Sequence, residues 1–168
     1  LKGKILNAQK QRADKILSSE EIATLATALG CGVSSTEMSD EDYASLRYHK
    51  VIIMTDADVD GAHIASLLMT FFFTQMRPLI DYGHLYLACP PLFRLTQGSE
   101  RVYCLDETER DTWLENGLGG RGKIDVSRFK GLGEMDAKDL KETTMDPSSR
   151  KLIRVSIDDE EPGETSNL

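Results

Sequence analysis

The amino-acid sequence predicts an α/β fold with a mainly parallel sheet, and three observations carry that prediction. Val51-Ile52-Ile53-Met54 is a short unbroken apolar run, the pattern of a strand buried on both faces of a parallel sheet. After it the period changes: Ile64, Leu67, Leu68, Phe71 and Phe72 fall at i, i+3, i+4, i+7 and i+8, one apolar face of a helix. Between the two stand Asp56, Asp58 and Asp60, followed by Gly61, at the carboxyl end of the strand, where open α/β sheets bind ligands. The strand 51–55 is therefore expected to be central and buried on both faces.

The remaining elements follow in chain order. Residues 1–15 set Lys2, Lys4, Lys10, Arg12 and Lys15 against one acid, Asp14, a charge run that by itself reads as solvated surface. Ser18 and Glu21 form a capping box for a helix carrying Ile22, Leu25, Ala26 and Leu29, with Gly30 in the C′ position. The polar, acidic stretch 34–42 reads as a surface loop. The helix after the aspartates should break near Pro78, which lacks a donor and restricts Arg77, and a short second helix should run from Pro78 to Gly83.

His84-Leu85-Tyr86-Leu87-Ala88 alternates as a strand that Pro90-Pro91 ends. Residues 92–95 and 101–105 form a hairpin around Gln97-Gly98-Ser99. A helix is expected over 106–115, with Trp113 in the core. The glycine-rich loop 117–123 lacks the Lys-Ser/Thr order of a Walker motif, which excludes a nucleotide site there. A strand at 124–129, a helix at 136–143 capped by Asp136, and a last strand at 151–157 complete the order. The acidic stretch 158–168, with Pro162 and Gly163, is expected to fray.

A net charge of −8 excludes a generic nucleic-acid-coating protein, so any DNA contact must be a local basic patch. Cys31, Cys89 and Cys104 are odd in number and have no metal-ligand spacing, so they read as reduced thiols of a cytoplasmic protein. The longest apolar segment, 64–73, is interrupted by Ser66 and Thr70 and is too short to span a bilayer. With no signal peptide visible, no membrane partner is expected.

Three carboxylates within five residues repel one another unless water, donors or a cation balance them. Hard oxygen ligands favour Mg²⁺ or Ca²⁺. A calcium EF-hand loop also begins D-x-D-x-D-G, but its twelfth position needs a bidentate Glu and Leu67 stands there. A strand-like run also precedes this loop, where an EF-hand has a helix. The plain alternative is an acidic, solvated turn without metal.

Four segments together resemble one family. Thr55-Asp56-Ala57-Asp58-Val59-Asp60-Gly61-Ala62-His63-Ile64 is similar to the metal box of the Toprim domain in bacterial type IIA topoisomerase B subunits, carried by gyrase and topoisomerase IV. Lys2-Gly3-Lys4-Ile5-Leu6-Asn7 resembles the segment after that family's first box. Gly83-His84-Leu85-Tyr86-Leu87-Ala88 with Pro90-Pro91-Leu92 resembles its next strand, and Arg128-Phe129-Lys130-Gly131-Leu132-Gly133-Glu134-Met135 its late Lys-Gly-Leu-Gly-Glu-Met signature.

The resemblance implies a Rossmann-like Toprim fold lacking its first strand, followed by a small α+β region. Residues 1–89 would be a partial Toprim domain, 90–157 the C-terminal part of the Toprim and DNA-gate region, and 158–168 an acidic tail. Asp56, Asp58 and Asp60 would be catalytic. Asp56 and Asp58 would hold Mg²⁺, and Asp60 would lie further out. Lys4, Asn7, His63 and Lys130 would contact DNA, and Lys2 would line the quinolone pocket. For His63 a local bond at the helix start is the competing reading; for Lys130 it is a tight turn with a solvated lysine. His49 and His84 read as structural.

The partner would be a tyrosine-bearing A subunit, in a heterotetramer. Tyr43, Tyr48, Tyr82, Tyr86 and Tyr103 match no such nucleophile motif. ATP would be bound by a region that this chain does not contain. Because the chain starts at Leu1 inside a motif, it is expected to be an excised fragment, without the family's metal-binding glutamate and inactive alone. The absence of a large insertion near 117–123 leans toward topoisomerase IV. Two further readings are a receiver-like phosphate- and Mg²⁺-binding domain and a DNA-docking module without chemistry. A receiver needs a separate phosphoacceptor Asp, and its acids are not D-x-D-x-D.

Overall fold

The computed structural model describes residues 19–31 and 38–157. Its first helix, α1 (Glu20–Leu29), is capped at Ser19, whose hydroxyl donates to Glu21 Oε2 at 3.0 Å with no side-chain bond to the backbone. The expected capping box at Ser18 thus gives way to a start one residue later, and Ser18 lies outside the described residues. At the other end Gly30 is left-handed, with φ 81°, and its N–H donates to the carbonyls of Ala26 and Thr27, as a C′ glycine should.

The expected loop at 34–42 is corrected in part: α2 (Asp40–Ala44) is a helix. Ser39 and Asp42 form a reciprocal capping box, with Ser39 Oγ accepting from the Asp42 N–H at 3.2 Å and Asp42 Oδ2 from the Ser39 N–H at 3.1 Å. Acidic residues that read as a loop are here the first turn of a helix, where carboxylates oppose the helix dipole favourably.

Strand β1 (Val51–Ile53) leads into α3 (Val59–Gln75), and α4 (Pro78–Asp81) follows after the break that Pro78 dictates. Strand β2 (Leu85–Ala88) pairs parallel with β1, Val51 opposite Leu85 and Ile53 opposite Leu87. The last strand, β6 (Leu152–Arg154), returns to the other edge of β2 and runs antiparallel, Leu87 opposite Ile153. The first sheet therefore has one parallel and one antiparallel pair, so the mainly parallel expectation holds only for β1–β2.

Among the described residues the strand order is β1-β2-β6, and the expected burial of β1 on both faces is corrected. Among the described residues β1 is an edge strand, with Ile53 buried, Val51 and Ile52 half-buried and Met54 exposed. An open groove of about 560 Å³ runs along it, lined in part by Leu25, Val51, Ile52, Ile64 and Leu68. An apolar run marks a strand, but the number of its neighbours is a long-range property. The core of this half joins Ile22, Ala26 and Leu29 of α1 to Leu67, Leu68, Phe71 and Phe72 of α3, with Met76, Leu79, Ile80 and Leu85 beneath.

The second sheet is a hairpin, β3 (Phe93–Gln97) and β4 (Glu100–Cys104), joined by β5 (Asp125–Arg128) on the free side of β3. All its pairs are antiparallel. One face buries Phe93, Leu95 and Cys104. Helix α5 (Glu107–Asn116), capped by Asp106, contributes no buried residue, and Trp113 is 39% exposed. The expected core position of Trp113 is thus corrected: Leu118 and Ile124 pack against that small core. A 3₁₀ turn (Leu132–Glu134), α6 (Ala137–Leu140) and a π-helical turn (Lys141–Met145) lie between β5 and β6.

All three cysteines are free, and burial pushes the Cys31 and Cys104 thiols up. Among the described residues no helix is long and apolar enough to cross a membrane.

Candidate metal centre

The site is built where β1 hands over to α3. Asp58 is the N-cap of α3, and its Oδ1 accepts the Gly61 N–H at 2.6 Å. That turn brings Gly61 against the Asp56 backbone so closely that a Cβ would collide with the Asp56 carbonyl oxygen. Asp56 and Asp58 are exposed, as are Asp60 in the first turn of α3 and His63 in the second.

A second element reaches the same place from far along the chain. The Leu132 N–H donates to Asp56 Oδ1 at 2.8 Å. The turn that presents it is braced twice: the Lys130 N–H donates to Glu134 Oε2 at 2.7 Å, and the Glu134 N–H to the Gly131 carbonyl at 3.1 Å. Phe129 and Met135, both buried, anchor its two ends, and Ala57, Pro90 and Pro91 close the crevice beside them. The exposed side chain of Lys130 is carried on this turn.

The structure thus brings together Asp56, Asp58 and the 130–134 turn, while Lys2, Lys4 and Asn7 lie outside the described residues. Among the described residues no three His, Cys, Asp or Glu side chains converge to hold a metal ion. Asp56 and Asp58 each accept a backbone N–H at Oδ1, and among the described residues neither Oδ2 takes a hydrogen bond. Two such oxygens fit a hydrated cation of the Mg²⁺ type, which binds through one or two carboxylates and keeps several waters.

Sequence reasoning missed a second polar cluster. Asp139, on α6, is fully buried. Its Oδ2 accepts from Arg94 Nη1 at 2.7 Å, and its Oδ1 from the Tyr103 hydroxyl at 2.7 Å and from Arg101 Nη1 at 3.4 Å. The Tyr103 oxygen is also 2.9 Å from Glu142 Oε2, so its single proton serves two carboxylates. Burial, then the bond to Asp139, pushes the Tyr103 phenol up. The Asp136 carboxyl is held low, first by the Asp139 N–H that it caps. A signal was available: Arg94 pairs with Tyr103 and Thr96 with Arg101, so the hairpin carries a charged face opposite its apolar one.

The Toprim domain family matches residues 1–90, more than half of the chain. The chain belongs to the Toprim family. Asp56, Asp58, Asp60 and His63 fall within its Toprim part, while Lys130 and Leu132 fall in residues 121–168, which match the carboxyl terminus of the DNA gyrase B subunit. The Leu132–Asp56 bond therefore joins the two matched segments. The chain is 56% identical over 165 residues to the DNA topoisomerase 4 B subunit of Bartonella bacilliformis, covering 98% of this chain and 23% of that protein. It is 51% identical over 160 residues to the DNA gyrase B subunit of Clostridium acetobutylicum, covering 95% and 24%. Against the DNA gyrase B subunit of Staphylococcus aureus it is 50% identical over 159 residues, again 95% and 24%. This Toprim chain spans about a quarter of the length of the relatives it matches.

Proposed function

We propose that the chain is part of the B subunit of an ATP-dependent type IIA DNA topoisomerase and supplies Mg²⁺-binding carboxylates and DNA contacts for double-strand cleavage and religation. The observation that carries this reading is the joining of the Asp56–Asp58 strand end to the turn bearing Lys130. Its support from similarity is a match to such B subunits over 95–98% of the chain. Asp56 and Asp58 would hold the cation, with Asp60 further out. A bound Mg²⁺ would stabilise negative charge on the scissile phosphate and the leaving oxygen.

The chain's own residues orient and neutralise. The Leu132 N–H fixes Asp56, the Gly61 N–H fixes Asp58, and Lys130 meets a DNA phosphate beside them. His63, Lys4 and Asn7 are further proposed DNA contacts, and Lys2 a lining residue of the quinolone pocket. The nucleophile would be a tyrosine of an A subunit, within a cytoplasmic heterotetramer. Tyr43 and Tyr103 are already engaged, by His84 and Asp139 respectively. ATP turnover would be carried by segments other than this chain. Residues 1–89 would form the partial Toprim unit, 90–157 the adjoining DNA-gate region and 158–168 an acidic tail.

Topoisomerase IV activity, decatenation and relaxation, is favoured by the 56% identity and by the short 117–123 loop. Gyrase activity is the second reading, supported by the match of residues 121–168. The test is to assemble the full B subunit with an A subunit, supercoiled plasmid and Mg²⁺, and to trap double-strand breaks with denaturant and protease. Asp56→Ala should lower cleavage at least about 100-fold. Undiminished cleavage in that variant would remove the reading, and introduction of negative supercoils would decide for gyrase. The 168-residue chain by itself should give no linear product.

A further inference from the structure

The 131–133 turn touches Asp56 more intimately than packing alone requires. The Leu132 N–H donates to Asp56 Oδ1 at 2.8 Å across 76 residues of sequence. Beside it Gly131 leaves no spare room. A Cβ there would lie 3.1 Å from the Asp56 Cγ and Oδ1 and 3.3 Å from Oδ2. The φ of Gly131 is −160°, extended backbone that any residue adopts, so the backbone itself does not demand glycine. What a Cβ would disturb is the Asp56 carboxylate, which would have to give by a few tenths of an ångström. Gly133 makes the contrast, because a Cβ added there meets nothing within 4 Å. Leu132 also lines the same groove as Asp56, Asp58 and Asp60.

We propose that Gly131 and Leu132 form the positioning element of the cation site, fixing Asp56 through Oδ1 so that Oδ2 is presented to the ion. The proposal rests on the reading of Asp56 as a cation ligand. An exposed aspartate otherwise samples several rotamers, and a ligand must be held within about 0.5 Å of its working position. The Lys130 and Glu134 bonds make the turn a fixed donor and not a mobile one. An alanine at 131 pushes on the carboxylate, which supplies the three atoms nearest to the added carbon. Partners that orient a metal ligand in this way typically change affinity by about 10- to 100-fold when lost.

The test uses the full B subunit of which this chain is proposed to be part, with Mn²⁺ as the probe, read by calorimetry and by electron paramagnetic resonance, and with amide exchange at Leu132 as a second readout. Gly131→Ala should weaken Mn²⁺ binding about 10-fold while Gly133→Ala leaves it unchanged. The Leu132 amide should be protected in the parent chain and in Asp56→Asn, whose Oδ1 still accepts, and should lose protection in Asp56→Ala. Mn²⁺ bound equally by the parent and Gly131→Ala overturns the positioning role alone. A Leu132 amide that exchanges as fast in the parent as in Asp56→Ala overturns the contact itself. A full B subunit that binds no Mn²⁺, or that binds it equally with and without Asp56→Ala, overturns the cation reading of Asp56, and the positioning role with it.

Discussion

Asp139 carries the heaviest electrostatic demand of any single described residue. A carboxylate removed from water is tolerated when its lone pairs are filled and its charge is opposed. Here Arg94 and Arg101 supply charge and Tyr103 a neutral donor. The two side chains keep 25% and 33% of their surface exposed, so removal of the carboxylate leaves both partly hydrated, although Arg94 Nε is buried without a hydrogen-bond partner among the described residues. Asp139→Ala should therefore destabilise by about 3 kcal/mol, the low end for a broken buried pair. Urea unfolding measures this, and a loss below about 1 kcal/mol would mean that the cluster is solvated in solution. Asp139→Asn should fall between the two chains, because it keeps an acceptor for Tyr103 and drops the charge.

At the scale of the element, α3 is both scaffold and site. Its apolar face was legible, since the 3.6-residue period of Ile64, Leu67, Leu68, Phe71 and Phe72 needs nothing beyond local sequence. Its start was not: the apolar face begins at Ile64, whereas the helix begins at Val59 because Asp58 caps it. The cap and the proposed cation-ligand role of Asp58 separate by substitution. Asp58→Ala loses the cap and should cost about 1 kcal/mol in thermal or urea unfolding, whereas Asp58→Asn keeps an acceptor for the Gly61 N–H and should cost little. Both should lose cation affinity, because neither has the charge. Equal stability of the Ala and Asn variants would show that the 2.6 Å bond to Gly61 does not hold the helix start in solution. Capping at Asp136 and the break at Pro78 were legible for the same local reason. The half-burial of Val51 and Ile52, the exposure of Trp113 and the burial of Asp139 were not, because each depends on which distant element packs alongside.

For the whole molecule the decisive quantity is the balance between net charge and local placement. With 28 acidic against 20 basic residues the chain repels a polyanion at long range. A DNA-binding role then rests on a few cations held in place, since a diffuse basic field is absent. Lys130 qualifies because the turn that carries it is tied to the first sheet through Asp56 and to the second through β5, whose last residue, Arg128, precedes the buried Phe129. Gly131 and Leu132 were legible as a motif, yet the partner of Leu132 stands 76 residues away and no local pattern names it. A lysine that meets a phosphate contributes by counterion release, which is indifferent to base sequence. Lys130→Ala in the assembled complex should therefore weaken binding of every duplex alike and reduce the dependence of log K on log salt by about 1. Fluorescence anisotropy at several salt concentrations, with two duplexes of unrelated sequence, provides the measurement. A loss confined to one duplex would place Lys130 on a base edge, and an unchanged salt slope would place it away from the DNA.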